Sequence, residues 1–139
     1  MRKLVEDAGA STRIIVDSAG TAAYHAGEPP DRRSAAAARR RGITLAGRAR
    51  QFEDGDWRSF HYVVAMDTEN HRTLARRAPD SEAQGRLHLL RDFDREAPKG
   101  SSVPDPYYGE DDGFELVLDL CDAACRGLLS RIRRTHGVP

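Results

Sequence analysis

The sequence predicts a single α/β domain in which helices cover both faces of a parallel sheet. Short apolar runs rich in β-branched residues alternate along the 139 residues with longer segments of helical periodicity. The runs are apolar on both faces, as in the buried strands of a parallel sheet. No internal repeat or low-complexity linker divides the chain, and its length suits one domain. We therefore expect a three-layer fold with one core.

Three runs are predicted to be strands, because each is short, apolar in its interior and bounded by polar or turn residues. They are Thr12–Ser18, His61–Met66 and Arg86–Leu90. The first ends at the turn Ala19–Gly20, and helical segments separate the three runs. This order is typical of parallel strands joined by helical crossovers.

Helical segments are predicted where a starting or stopping residue bounds a periodic pattern. They are the first eight residues with Gly9 as C-cap, the segment begun by Pro29-Pro30-Asp31 and stopped by Gly42, the segment capped by Asp67 or Thr68 that runs to Arg77, and the last helix. In the last helix Asp112 and Glu115 have the spacing of a capping box. Apolar residues from Phe114 to Ile132 then recur at offsets of three and four, which predicts one face packed on a core.

The charge is balanced, with 22 basic and 22 acidic residues. Nucleic-acid and membrane-surface binding both need a basic excess, so we expect neither partner. The chain has no run of about 20 apolar residues that could span a membrane. It also lacks a signal-peptide pattern, and we expect a cytoplasmic protein.

Cys121 and Cys125 are too few for a disulfide framework or a four-ligand metal site. Cys125 to Arg131 matches Cys-x5-Arg, the phosphate-binding pattern of cysteine-dependent phosphatases. That chemistry needs a loop whose N–H groups converge at a helix N-terminus. Here the match lies inside the last helix, where the two side chains stand about 9 Å apart along the axis. Both cysteines are therefore predicted to be buried thiols.

The histidines show no spacing typical of metal ligands, and we expect no metal site. They are His25, His61, His71, His88 and His136.

The stretch VPDPYYG, residues 103–109, places an aspartate between two prolines. Pro106 restricts the backbone of Asp105 and Pro104 that of Val103, so the carboxyl group sits on a stiff loop beside Tyr107 and Tyr108. On these residues alone, a catalytic carboxyl group and a proline-containing turn with exposed tyrosines both stay open.

Several stretches together resemble the low-molecular-weight protein tyrosine phosphatases over essentially the whole chain. In chain order they are DSAGT (17–21), GEPPDRRS (27–34), GRARQF (47–52), AMDTEN (65–70), DPYYG (105–109) and the terminal-helix stretch FELVLDLCDAACRGLL. The DPYYG stretch is the most specific of them.

The resemblance implies a four-stranded parallel sheet and protein tyrosine phosphatase activity through a phosphocysteine intermediate. In that family a Cys-x5-Arg-Ser loop after the first strand supplies the nucleophile and the phosphate-clamping arginine. Asp105 would be the general acid that protonates the departing oxygen, and then the base that activates water. A phenol has a pKa of about 10, so its anion leaves poorly without a proton. General acid catalysis is typically worth about 10²–10⁴-fold.

The resemblance also implies roles for other side chains. Tyr107 and Tyr108 would wall the entrance, Tyr24 would form the opposite rim with His25 beside it, and Ser18 would support the phosphate loop. The implied substrate is a phosphotyrosine protein or a small aryl phosphate, and no cofactor is expected. A cognate tyrosine kinase is a candidate partner.

The chain departs from the family at its start. The first strand, which is internal to the sheet, and the phosphate loop have no counterpart in residues 1–139. We therefore expect residues 1–139 to form one N-terminally truncated domain that lacks the nucleophile and is inactive as given. A translation start assigned at an internal methionine, roughly 20–30 residues too late, and decay of the gene are both open. The retained Asp105 and its tyrosines favour the first.

Two alternative functions follow from the same residues. The first is a non-catalytic phosphatase-like module that binds a partner through Tyr107 and Tyr108. The second is an arsenate reductase on the same fold, which would use extra cysteines on a mobile segment. Residues 70–100 contain no cysteine, which disfavours the reductase.

Overall fold

The computed structural model describes residues 1–22, 26–106 and 111–139, with the side chains of 111 and 112 left out. Within these ranges the helices are α1 (Arg2–Asp7), α2 (Arg32–Arg40), α3 (Asp56–Ser59), α4 (Thr68–Arg77), α5 (Ser81–Arg86) and α6 (Asp111–His136). The strands are β1 (Val63–Ala65) and β2 (Leu87–Leu89), and a 3₁₀ turn (Leu90–Phe93) follows β2.

The two strands form a parallel pair, with Val63 opposite Leu87 and Ala65 opposite Leu89. The four side chains are buried, and they face α3, α4 and α5 in one apolar cluster with Trp57 and Leu74. The chain crosses from β1 to β2 through α4 and α5, as a parallel connection requires. The predicted strands at His61–Met66 and Arg86–Leu90 are confirmed, although both are shorter than expected.

The other face of the sheet is covered by α6. Val64 lies between the buried Val63 and Ala65 and packs against a second cluster that contains Ala124 and Cys125 of α6. Helix α1 adds Val5 and Leu4 to the apolar side chains around α6. Helices therefore cover both faces of the sheet, and the predicted three-layer α/β class is confirmed.

The predicted strand at Thr12–Ser18 is not found: residues 12 and 13 lie in a turn, and residues 14–18 form no ladder with other described residues. A strand needs a hydrogen-bonded neighbour, and the N–H groups of Ile15, Val16 and Asp17 donate to no backbone carbonyl in the described chain. Instead the guanidinium group of Arg2 donates to the Val16 carbonyl group at 3.0 and 3.1 Å. A single parallel bridge, Gly20 to Gln51, follows this segment.

The predicted helices are confirmed with small changes at their ends. Asp31 caps α2 by accepting from the N–H groups of Arg33 and Ser34, and Gly42 follows the helix at φ +76°. Asp67 caps α4, which ends at Arg77 as predicted. Short helices α3 and α5 lack enough residues for a periodic pattern, and the sequence did not predict them.

The capping box predicted at Asp112 and Glu115 stays a prediction, because the Asp112 side chain lies outside the described residues. The Glu115 side chain is engaged with α2. Its carboxylate accepts from Arg41 Nη2 at 2.7 Å and from Arg40 Nη2 at 3.1 Å. Glu115 therefore joins α6 to the end of α2. No helix in the described ranges is long and apolar enough to cross a membrane.

Candidate active site

The segment that carries Asp105 is anchored at the carboxyl end of β1. The Val103 N–H group donates to the carbonyl oxygen of Met66, the residue after β1, at 2.8 Å. The Thr68 N–H group donates to Ser102 Oγ at 3.1 Å, and Val103 is 5% exposed. Asp105 itself is exposed two residues farther along. The carboxyl ends of parallel strands are the usual place for ligands in α/β folds.

Two further contacts fix this anchor. Arg91, in the 3₁₀ turn after β2, donates from Nη1 to the Ser102 carbonyl oxygen at 2.9 Å. Asp67 accepts from the Asn70 N–H group at 2.7 Å and so holds the turn between β1 and α4. The base of the Asp105 segment is therefore tied to both strands of the described sheet.

The far end of the same segment meets the beginning of α6. A Cβ atom on Gly113 would stand 3.5 Å from Pro106 Cβ, so the first turn of α6 lies against Pro106. Phe114 is 4% exposed, and the Arg33 guanidinium group lies 4.8 Å from the centre of its ring. The start of α2 is thus packed on the start of α6.

An ion cluster between α2 and α6 holds the same helix end. Arg41 donates from Nε and Nη2 to the Glu115 carboxylate at 3.0 and 2.7 Å, and its Nη1 lies 2.8 Å from Asp119. Hydrogen bonds from Arg41 and then Arg40 lower the pKa of Glu115. The hydrogen bonds to Glu115 and Asp119 raise the pKa of Arg41. Both shifts favour the charged forms of Glu115 and Arg41.

Ser18 is exposed and is held by a separate network. Its N–H group donates to Asp17 Oδ1 at 2.8 Å, and the other oxygen of Asp17 accepts from Arg50 Nε at 3.2 Å. Arg50 also donates to Asp56 at 2.9 and 3.3 Å. Burial is the largest single effect and acts to raise the pKa of Asp56. The hydrogen bonds from Arg50 and the Glu53 N–H group, together with the charges of Arg50 and Arg77, outweigh it, and the pKa is lowered. The Gly20–Gln51 bridge ties the end of the Ser18 segment to the chain at Arg50.

Four of the side chains assigned by resemblance lie outside the described residues. They are Tyr24, His25, Tyr107 and Tyr108. Of the assigned site residues, the described geometry therefore concerns Asp105 and Ser18.

The two cysteines lie on the apolar side of α6, as predicted. Cys125 is 8% exposed and Cys121 is half-buried. Burial raises the pKa of the Cys121 thiol from 9.0 to about 11 and also raises that of Cys125. Arg131 follows on the same unbroken helix, so the Cys-x5-Arg match is not a phosphate loop. The described residues also hold no group of three or more metal-ligating side chains.

Comparison with known proteins identifies the family. The family model for low molecular weight phosphotyrosine protein phosphatase matches residues 1–137. The chain belongs to this family. It is 41% identical over 133 residues to the low molecular weight protein-tyrosine-phosphatase of Streptomyces coelicolor, covering 95% of this chain and 81% of that protein. It is 37% identical over 131 residues to the human low molecular weight phosphotyrosine protein phosphatase, covering 94% and 82%.

Solved structures support the same assignment for this phosphatase family member. A protein tyrosine phosphatase from Entamoeba histolytica, crystallised with Hepes in its active site, superimposes with a TM-score of 0.88 at 32% identity. The match covers 98% of this chain and 85% of that one. The resemblance drawn from the sequence motifs is therefore confirmed for both family and fold.

Several residues that shape the site were not singled out from the sequence. Arg91 and Ser102 anchor the Asp105 segment, but a lone arginine after an apolar run and a serine before a proline motif carry no distinctive signal. Arg41 is the last of three consecutive arginines, a run that by itself favours a solvated helix end. The pairing with Glu115 spans 74 residues of sequence, and no local pattern predicts it.

Proposed function

We propose that residues 1–139 carry the general-acid part of a protein tyrosine phosphatase site, with Asp105 as the proton donor. The observation that supports this most is the anchoring of the Asp105 segment. Val103 and Ser102 bind the carboxyl end of β1, and Pro106 lies against α6. The two prolines beside Asp105 restrict the backbone between these anchors. A carboxyl group so held needs little reorganisation to meet a bound substrate.

The chemistry requires a proton at one oxygen. When a thiolate attacks phosphorus, the bond from phosphorus to the phenolic oxygen breaks and its electron pair stays on that oxygen. The Asp105 carboxylic acid gives its proton to this oxygen, and the phenol departs. The Asp105 carboxylate then takes a proton from the water that attacks the phosphocysteine, which releases phosphate and restores the thiolate. We assign Tyr107, Tyr108 and Tyr24 to the walls around the substrate ring.

The nucleophile of this reaction is neither cysteine of the chain. Both thiols are on α6, and burial raises the pKa of each, whereas a nucleophilic cysteine needs a lowered pKa. We propose that the thiolate and the clamping arginine belong to residues outside the 139 given, and that Ser18 supports that loop. Residues 1–139 alone are then expected to be inactive toward phosphate esters.

The substrate we propose is a phosphotyrosine protein or a small aryl phosphate. The family name and those of the relatives refer to phosphotyrosine or tyrosine phosphatases. A cognate tyrosine kinase as partner and a cytoplasmic location stay predictions.

The test compares residues 1–139 with the same chain extended upstream in its reading frame. We expect the extended protein to hydrolyse p-nitrophenyl phosphate and residues 1–139 not to. In the extended protein, Asp105→Asn should lower kcat/KM, which reports the step that expels the phenol, by about 10²–10⁴-fold on phenyl phosphate. The loss should be smaller on p-nitrophenyl phosphate, since its more acidic phenol leaves more readily without a proton.

Asp122→Asn is the matched control, because Asp122 is an exposed aspartate on α6 that pairs with Arg126 at 2.9 Å. It should leave both rates unchanged. Hydrolysis by residues 1–139 alone would overturn the assignment of the nucleophile. An equal loss on both esters in Asp105→Asn would overturn the role of Asp105 as general acid.

A further inference from the structure

A cleft of about 450 Å³ lies at the edge of the sheet opposite Asp105. Helix α3 precedes β1 and α5 precedes β2, so residues of these helices mark the amino ends of the strands. The cleft is lined by parts of α3, α5 and the end of α4. Its volume is within the range of small-molecule sites, about 300–1,000 Å³. It is therefore a second concavity, separate from the phosphatase site.

The apolar wall of the cleft is formed by Trp57, Pro79 and Ala83. Trp57 is 3% exposed, and its ring packs edge-on against Phe52 with the centres 5.2 Å apart. The indole Nε1–H group is buried and has no acceptor in the described part of the chain. Buried donors are normally paired, so the indole N–H group is an unpaired donor in the interior beside the cleft.

Two of the three arginines around the cleft are already engaged. Arg86 donates to the carbonyl oxygens of Trp57 and Phe60 at 2.9 and 3.1 Å and pairs with Glu82 at 2.9 Å. Arg77 donates to the Phe52 carbonyl oxygen at 3.1 Å. These contacts hold the wall of the cleft in place.

The third arginine, Arg58, is exposed, and its guanidinium group has no ion-pair or hydrogen-bond partner among the described residues. The acidic side chains around the cleft contact groups other than Arg58. Asp80 caps α5 by accepting from the Ala83 N–H group at 2.8 Å, and Asp54 lies 3.6 Å from Arg77. Arg58 is thus the cation of this cleft that is left for a ligand.

We propose that the cleft binds a small aromatic carboxylate, with its carboxylate on Arg58 and its ring against Trp57, Pro79 and Ala83. A guanidinium group suits a carboxylate because it offers paired donors in one plane. A single negative charge fits better than the two charges of a phosphate ester, since the three acidic side chains around the cleft repel a dianion. The proposal does not depend on phosphatase activity.

Trp57 is the sole tryptophan of the chain and reports directly on the cleft. Benzoate is the probe, added to residues 1–139 at pH 7 with excitation of the indole. We expect a saturable fluorescence change with a Kd on the order of 1 mM, as is usual for a ligand of this size. A nitrogen-15 spectrum should show a matching shift of the single indole N–H signal.

Arg58→Gln should weaken benzoate binding about tenfold, because it removes a charge-assisted hydrogen bond. Arg72→Gln is the matched control, since Arg72 is exposed on α4 and does not line the cleft. Both variants replace exposed side chains, and thermal melts should confirm that they fold. Benzyl alcohol, the neutral analogue, should bind much more weakly than benzoate.

The proposal is overturned if neither the fluorescence nor the indole signal saturates below about 20 mM benzoate, a limit roughly 20 times the expected Kd. It is also overturned if Arg58→Gln binds as well as the Arg72→Gln control. If benzyl alcohol bound as tightly as benzoate, the cleft would not recognise the carboxylate, and that part of the proposal would be wrong. If inorganic phosphate bound as tightly as benzoate and its binding required Arg58, the cleft would not recognise the aromatic ring.

Discussion

Cys121 and Cys125 lie four residues apart on α6, where burial suppresses the reactivity of both thiols. At a pKa of about 11 instead of 9.0, Cys121 has about 100-fold less thiolate at neutral pH. We predict that Ellman's reagent at pH 8 modifies both thiols at least tenfold more slowly in the native protein than in urea. Immediate modification of either thiol in the folded protein would contradict this environment.

His88 gives a second test at the scale of a single residue. Burial, and then the charge of Arg131, lowers its pKa below 6.5, while Asp92 opposes the shift and His71 adds to it. The folded protein therefore binds fewer protons at His88 than the unfolded chain. The stability that the neutral imidazole contributes is fully present above pH 6.5 and is lost as the pH falls through that value toward the folded pKa.

We expect His88→Gln to reduce the loss of unfolding free energy between pH 7.5 and 5, measured by urea titration at each pH. His61→Gln is the control, because His61 is exposed. If the two variants have the same pH dependence as the parent protein, the half-buried imidazole of His88 does not control acid stability.

At the scale of elements, Gly127 determines how closely α6 approaches the 3₁₀ turn after β2. A Cβ atom at this position would overlap the carbonyl oxygen of Phe93, so the helix needs glycine there. Gly127→Ala should destabilise the protein by about 1–3 kcal/mol or more through overpacking, although alanine favours helices.

Gly85 in α5 is the matched control, since a Cβ atom there would meet nothing within 4 Å. Gly85→Ala should therefore raise stability, by up to about 1 kcal/mol. Urea unfolding tests whether Gly127→Ala lowers the free energy of unfolding and whether Gly85→Ala raises it. Equal effects at the two glycines would mean that helix propensity alone determines the result.

Local sequence patterns predicted the helices that begin at a capping side chain. Asp31 and Asp67 were recognised as starts of helices, and both side chains cap the helices that follow them. The partners of Glu115 were not predicted, because the arginines that bind it are about 75 residues away in sequence. Sequence reasoning thus succeeded where a residue acts on its own backbone and failed where it acts across the fold.

At the scale of the whole molecule, motif order predicted the family and fold class, whereas contacts between segments could not be predicted. The DPYYG motif identified Asp105 as a candidate site residue. The anchors Arg91 and Ser102 are 11 residues apart, and they meet at the end of the sheet where β1 and β2 are paired. Thr12–Ser18 has the composition of a strand, but pairing depends on a neighbour, and composition cannot show whether one is present.

Because residues 15–17 have the composition of a strand but no strand partner among the described residues, we predict how fast their amide hydrogens exchange compared with those of α6. The N–H groups of Ile15, Val16 and Asp17 have no backbone acceptor in the described chain, so they should exchange within minutes at neutral pH. Leu128 and Leu129 lie inside α6 with buried side chains, and their N–H groups should exchange only on global unfolding. Exchange of residues 15–17 as slow as that of Leu128 would show that this segment has strand-like partners and is part of the sheet in solution.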